Sequence, residues 1–321
     1  MRLDAPLSSF PRNPRRTRLA PLLAQLDDEL GVHGLPAPPV WFSIDWFAPN
    51  SIWGFAIPFY LASDDLIERE RQSFGPLEDS EPEACLRFLR HETGHAIDTA
   101  FRLARRRELR AVFGPRSTPY RSSYEVDPWR DDFVVNLPRW YAQSHPAEDF
   151  AETFAVWLAD AGVGRTRAAG EKLAAVAACM EELADEDRIV RTRERTGAID
   201  EYRGSVELLF EARVRTFELE ERPPFLPTLE RLFRRTGGTP DRSPAARALR
   251  GWRPGVAARV IEESGISRAS FRMLWPIFER TARLARLGHP RVEDRAAIEA
   301  LTRAALRSLH ALRRGSWLLS R

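Results

Sequence analysis

Two histidines and a glutamate stand together in the segment RHETGHA, residues 90–96, between Leu89 and Ile97. Ionisable groups buried in an otherwise apolar helix are costly unless something pairs with them. Residues four apart on a helix differ by about 40° around the axis, so His91 and His95 project from one face, one turn apart. That arrangement suits a single ion binding both imidazoles. Glu92, about 100° away from His91, is badly placed as a third ligand but well placed to reach a water held at the ion. This is the HExxH pattern of two ligands and a general base. Three fixed residues in five positions also recur by chance, and the alternative is a pair of core histidines satisfied by hydrogen bonds. Gly94 argues against it. A glycine inside a helix costs roughly 1 kcal/mol relative to alanine, which makes sense where something must approach the helix closely.

Catalytic zinc takes three protein ligands and keeps a fourth position for water. The downstream candidates are His145, Glu148, Asp149 and Glu152. The third histidine of HExxHxxGxxH sites is missing, since position 101 is Phe101. Cys85 lies about 9 Å from His91 along the helix and on another face, which removes it from the same ion. Glu148 and Glu152 share one face of a second helix, and the pattern buries Phe150, Phe154 and Trp157 on the opposite face. Two carboxylates one turn apart on a half-buried helix need a counter-charge, which a zinc ion with two histidines supplies. Glu148 is therefore read as the third ligand. Glu152 then accepts a hydrogen bond from a ligand imidazole and fixes its tautomer. Asp98 faces the same way as His91 and His95 and is read as another such acceptor.

HETGHAID followed by WYAQSHPAEDFAETFAVWLAD resembles the bacterial zinc-binding metallopeptidases of gluzincin type, over roughly residues 40–195. In that group the third ligand is the first glutamate of a later ExxxD or ExxxE helix, in agreement with Glu148 ahead of Glu152. The joint pattern is also similar to the catalytic domain of lethal-factor-like gluzincins, where a tyrosine precedes the ligand glutamate by seven residues. Here that tyrosine is Tyr141. The resemblance implies a zincin-like peptidase fold and one Zn2+ per chain. The reading that follows is hydrolysis of a peptide or protein by zinc-activated water, with Glu92 as general base and Tyr141 as oxyanion stabiliser. Two other readings stay open. One is the same chemistry on a non-peptide amide or modified small peptide. The other is a catalytically silent zinc domain coupled to a DNA- or partner-binding helical C-terminus.

These residues must be positioned by elements that the sequence also marks. Residues 17–31 show helical periodicity and end at Gly31; LPAPP then leads into VWFSIDWF and SIWGFAIPFYLAS, which read as strands. Pro58 suits an edge, so the second strand is a candidate to bind a peptide by strand addition; the alternative is an interior strand. Residues 64–72 read as a helix. Ser80 and Glu83 form a capping-box pattern opening a helix that runs to Gly114-Pro115 and breaks near 105–107. Residues 115–140 form an Arg-rich loop expected to border the cleft and favour acidic residues. Pro146 stands at an allowed first-turn position. Beyond about residue 170 the chain reads as helical throughout, interrupted at 234–244.

The stretch AARVIEESGISRASFRMLW resembles a helix-turn-helix with Gly265 at the turn. Ile261 and Ser264 depart from that pattern, and Pro276 is expected to cut the second helix short, so two packed helices are the favoured reading. The expected fold class is α+β, mostly α: a zincin-like metallopeptidase domain with a small N-terminal β-sheet over residues 1–210, then a helical C-terminal region over 211–321.

At 321 residues, 43% hydrophobic and 30% charged, the chain can bury a sizeable core. Its formal net charge is only +3. Arginine supplies nearly all the positive charge, Lys172 being the single lysine, and acidic residues are interleaved with it. No nucleic-acid partner is expected from that distribution. Two cysteines give no disulfide framework and fit a reducing compartment. The start, MRLDAPLSSFPRNPRRTR, has no apolar leader segment. Gly54 and Pro58 break the longest apolar run, which is far short of the ~20 residues that span a bilayer. A cytoplasmic location with no membrane partner is the expectation.

Overall fold

Leu23, Leu26 and Leu30 recur at helical spacing and are all buried, which fixes the inward face of α1 (Ala20–Val32). The computed structural model describes residues 6–74, 77–159, 167–184, 186–192, 194–217, 223–236, 243–314 and 319–320. α1 runs past Gly31; the left-handed turn that ends this region falls at Gly34 (φ +67°). β1 (Val40–Ser43) and β2 (Phe55–Pro58) pair in parallel, from Val40 against Phe55 to Ser43 against Pro58. Every residue of β2 is buried. On its far side the Ala56 N–H donates to the Phe47 carbonyl at 2.8 Å. The side chains of β2 are thus buried and its far side is already bridged at Ala56, which speaks against this strand as an open edge for a peptide.

α2 (Asp64–Phe74) leads to α3 (Pro82–Phe101), the helix that carries the histidines. The capping box does not form. Glu81 occupies the cap without a side-chain bond, and the Ser80 hydroxyl donates back to the Leu77 carbonyl. Pro82 in the first turn, with its φ already helical, starts the helix instead. α3 ends at Arg102, whose left-handed φ of 53° redirects the chain into a short 3-10 turn (Leu103–Arg105) and then α4 (Arg107–Phe113). The interruption runs from Arg102 to Arg106, so it overlaps the expected 105–107 and begins three residues ahead of it. The Asp98 carboxylate, accepting from the Ala104 N–H at 2.8 Å, fastens this turn.

β3 (Ser123–Tyr124) lies in the following loop, before α5 (Pro146–Leu158), α6 (Arg167–Leu183) and α7 (Val206–Phe217). Phe150 and Phe154 of α5 are fully buried, each worth roughly 2–3 kcal/mol of apolar transfer. α5 is buried nearly all round rather than on one face, whereas Trp157 is only half-buried, packed on His33. Gly94 explains how close α3 and α5 come. A Cβ there would lie 3.0 Å from the Ala151 Cα and 3.1 Å from the Phe154 ring. The close approach inferred from this glycine is made by α5.

The C-terminal region contains α8 (Leu226–Leu232), β4 (Phe233–Arg235), α9 (Pro244–Ser264), α10 (Arg268–Leu284), β5 (Leu287–Pro290), α11 (Asp294–Arg313) and β6 (Leu319–Ser320). It is not helical throughout: β4 pairs antiparallel with β5, and β6 with β3 of the distant loop. Of the interruption expected at 234–244, residues 237–242 lie outside the described residues. Pro276 sits inside α10 and does not end it, because Trp275 and Phe278 on either side are fully buried and hold the helix together. Gly265 (φ +69°) makes the tight turn before α10. The Ser270 hydroxyl at its N-terminal end donates to the Pro128 carbonyl at 2.6 Å, so this turn docks on the loop.

One buried cluster runs from Leu7 to Phe210 around α1, β2, α3 and α5. A second begins at Phe225 and also takes in Tyr124, Val126 and Trp140 from the loop. The architecture is α+β and mostly helical, with three small two-stranded sheets among the described residues. No described helix is long and apolar enough to cross a membrane.

Candidate metal centre

α3 and α5 bring together residues far apart in sequence. The Nε2 atoms of His91 and His95 are 3.1 Å apart, and Glu148 Oε2 lies 3.0 Å from the first and 2.9 Å from the second. These three form the cluster of ligand-type atoms that could hold one metal ion. The spacing is close to the roughly 3.3 Å expected between atoms that share a tetrahedral zinc at 2.0–2.1 Å. Two imidazole nitrogens and one carboxylate oxygen are also a donor set that zinc favours. His91 and Glu148 are buried; His95 is partly open to solvent.

Burial pulls the His91 imidazole down, but hydrogen bonds to Glu148 and Glu152 outweigh it and lift the group to about 10. Burial would raise Glu148, yet His95 and His91 hold it well below the usual carboxylate range. Two acidic groups thus demand a positive charge at His91, which a proton or a metal ion can supply. Glu92 is buried beside it, and burial pushes its carboxyl up to about 7, with His91 and His95 opposing. Its Oε2 has no hydrogen-bond partner among the described residues. An orphaned buried carboxylate oxygen next to this donor set fits a site made for metal and water.

Glu152 reaches one of the two imidazoles. Its Oε1 accepts from His91 Nδ1 at 2.7 Å and from Asn136 Nδ2 at 3.0 Å, and its Oε2 accepts from the Leu137 N–H at 2.8 Å. With Nδ1–H committed to Glu152, Nε2 is the ring nitrogen that faces Glu148 and His95. Asp98 departs from its expected part. It accepts from the Ala104 N–H and from Arg116 (3.1 Å), and neither imidazole donates to it. Its carboxylate serves the turn that closes α3.

His145 and Asp149, the other candidates, are used elsewhere. His145 caps α5, its Nδ1 accepting from the Ala147 N–H and its Nε2–H donating to the Thr118 carbonyl at 2.8 Å. Asp149 pairs with Lys172 at 2.8 Å, so the chain's single lysine offsets this buried carboxylate. Cys85 and Cys179 are buried and unbridged, and burial lifts the Cys85 thiol to about 12, which makes it a poor ligand.

Tyr141 stands near the centre, its ring 5.7 Å from that of His91. Two successive left-handed residues, Arg139 (φ 67°) and Trp140 (φ 53°), turn the chain so that it can. The C-terminal region braces this loop: Trp129 Nε1 donates to the Ser264 carbonyl at 2.8 Å, and β3 pairs with β6. Sequence reasoning missed Asn136, and it missed Tyr120, whose hydroxyl donates to Glu148 Oε1 at 3.3 Å while its ring stacks on His145. Both lie in a loop without periodicity, and no local pattern marks them.

Residues 60–203 match the family model described as "Putative zinc-binding metallo-peptidase". No curated protein and no solved structure matches the chain.

Proposed function

From the match of residues 60–203 to that zinc-binding metallopeptidase model, we propose that the chain is a zinc-dependent peptidase. His91, His95 and Glu148 would hold one zinc ion per chain. The observation that carries the reading is the buried, unpartnered Glu92 Oε2 beside a three-atom ligand cluster. A site that only stored metal would gain nothing from an unpartnered basic oxygen buried beside it.

When bound, zinc supplies Lewis-acid polarisation of water and of the scissile carbonyl. Glu92 takes the proton from the attacking water and returns it to the leaving amine. Its raised affinity for a proton, at about 7, suits both halves of that exchange near neutral pH. Tyr141 donates its hydroxyl to the developing oxyanion. Glu152 holds His91 in one tautomer. The substrate is a peptide or protein, and the two buried, unbridged cysteines are the ground for placing the protein in a reducing compartment, the cytoplasm.

The test is Glu92→Gln. Elemental analysis should still find one zinc per chain, while hydrolysis of a peptide mixture falls by about 10²–10⁴-fold or more. A parent protein without zinc, or a variant as active as the parent, would sink the reading.

A further inference from the structure

The face of α3 that carries His91 and His95 continues through Asp98 and Thr99 to Arg102, following the helical repeat. Beyond His95 this stripe becomes the wall of a cavity of about 570 Å3. Four arginines, Arg102, Arg105, Arg116 and Arg191, line it with Asp98 and Tyr120. Four cations thus face one carboxylate. Tyr120 joins the cavity to the metal centre, since its hydroxyl also reaches Glu148. Arg102 lies seven residues past His95, about 10 Å along the helix, a distance an extended peptide covers in about three residues.

Arg116 is the unusual member. Its side chain is only 6% exposed, and Nη1 reaches Asp98 at 3.1 Å. Its Nε and Nη2 are buried and have no hydrogen-bond partner among the described residues. Its guanidinium rests on the Phe150 ring, 4.3 Å from the centroid. Donors left unsatisfied in a buried guanidinium are destabilising, and a carboxylate accepts two parallel N–H groups from that fork. Of the other three arginines, Arg191 pairs with Asp187 in an exposed bridge of little strength. The basic character expected of residues 115–140 is therefore found mostly elsewhere, at the end of α3 and near residue 191, with Arg116 as the loop's contribution.

We propose that this cavity is a specificity subsite that binds a carboxylate of the substrate, either an acidic side chain or the free C-terminal group, within about three residues of the cleaved bond. The inference rests on the peptidase reading for its place in catalysis, though not for the binding itself.

The experiment uses the zinc-loaded full chain and a set of short fluorescent peptides. In one series a single glutamate moves along an otherwise neutral, C-terminally amidated sequence; the comparison peptides are the all-glutamine amide and its free acid. Cleavage is measured with the parent protein, and binding with Glu92→Gln by fluorescence anisotropy. One glutamate position, or the free acid, should be preferred over the neutral amide by at least tenfold. Arg116→Gln should reduce that ratio towards one. Because Arg116 is buried, Arg102→Gln, at an exposed position, serves as a second variant and should reduce it by a smaller factor. Equal binding of neutral and anionic peptides, no binding of any peptide, or a preference that survives both substitutions would overturn the subsite. Preferential binding without any cleavage by the parent would support the subsite while sinking the peptidase reading, so the two failures are distinguishable.

Discussion

His91 Nδ1 and Glu152 Oε1 lie 2.7 Å apart, while Nε2 of the same ring faces Glu148 Oε2 at 3.0 Å. One imidazole is thus held between two carboxylates of α5 that are one helical turn apart. Only the second can share an ion with His95. Replacing Glu148 by alanine should therefore weaken zinc binding more than replacing Glu152, for which a loss of about 10–100-fold is expected. Competition against a chelator of known affinity measures both, and the reverse order would mean that the two glutamates have exchanged roles.

Zinc binding should release a proton. In the metal-free protein His91 is held at about 10, so near pH 7.5 it is protonated, and a metal ligand must be neutral. Titration calorimetry in buffers of different ionisation enthalpy should find about one proton released per zinc, with affinity rising as pH increases towards 10. The sign for stability follows from the same shift. A group raised from 6.5 stabilises the metal-free fold fully below 6.5, and this contribution is lost as pH rises through about 10. Zinc binding without proton release would show that His91 is neutral beforehand.

Tyr141 and Tyr120 should separate by kinetics. Tyr141→Phe is expected to lower kcat by about 10–10³-fold with zinc content unchanged, the signature of a lost oxyanion donor. Tyr120→Phe removes a donor to Glu148 and should act on zinc affinity instead. If kcat falls in the Tyr120 variant and not in the other, the oxyanion role moves to Tyr120.

Gly94→Ala tests the helix contact. The added Cβ meets α5 backbone at 3.0 Å, which cannot rotate away, so α3 and α5 must separate. A stability loss of about 1–3 kcal/mol is expected, with weaker zinc binding because Glu148 moves off the histidine pair. Thermal melts of the metal-free protein and a zinc titration give both numbers. Unchanged values would show that the packing is looser than this geometry requires.

The sequence by itself determined which residues share a helix face. His91 with His95, and Glu148 with Glu152, follow from a backbone repeat that depends only on local hydrogen bonding, and Gly94 announced a close neighbour for the same local reason. The contact between α3 and α5 decided the rest. It set Glu148, one of four candidates, beside the two histidines, left His145 to cap a helix, and paired Asp149 with Lys172. It also left Asp98 to fasten a turn. The loop residues Tyr120 and Asn136 had no periodicity to betray them, and β2 could look like an edge because only the packed chain shows that Phe47 and the core enclose it. Local geometry sets the direction of a side chain along its own element. What that side chain meets depends on the packing of segments more than fifty residues away, and here that packing turns two short motifs into one site.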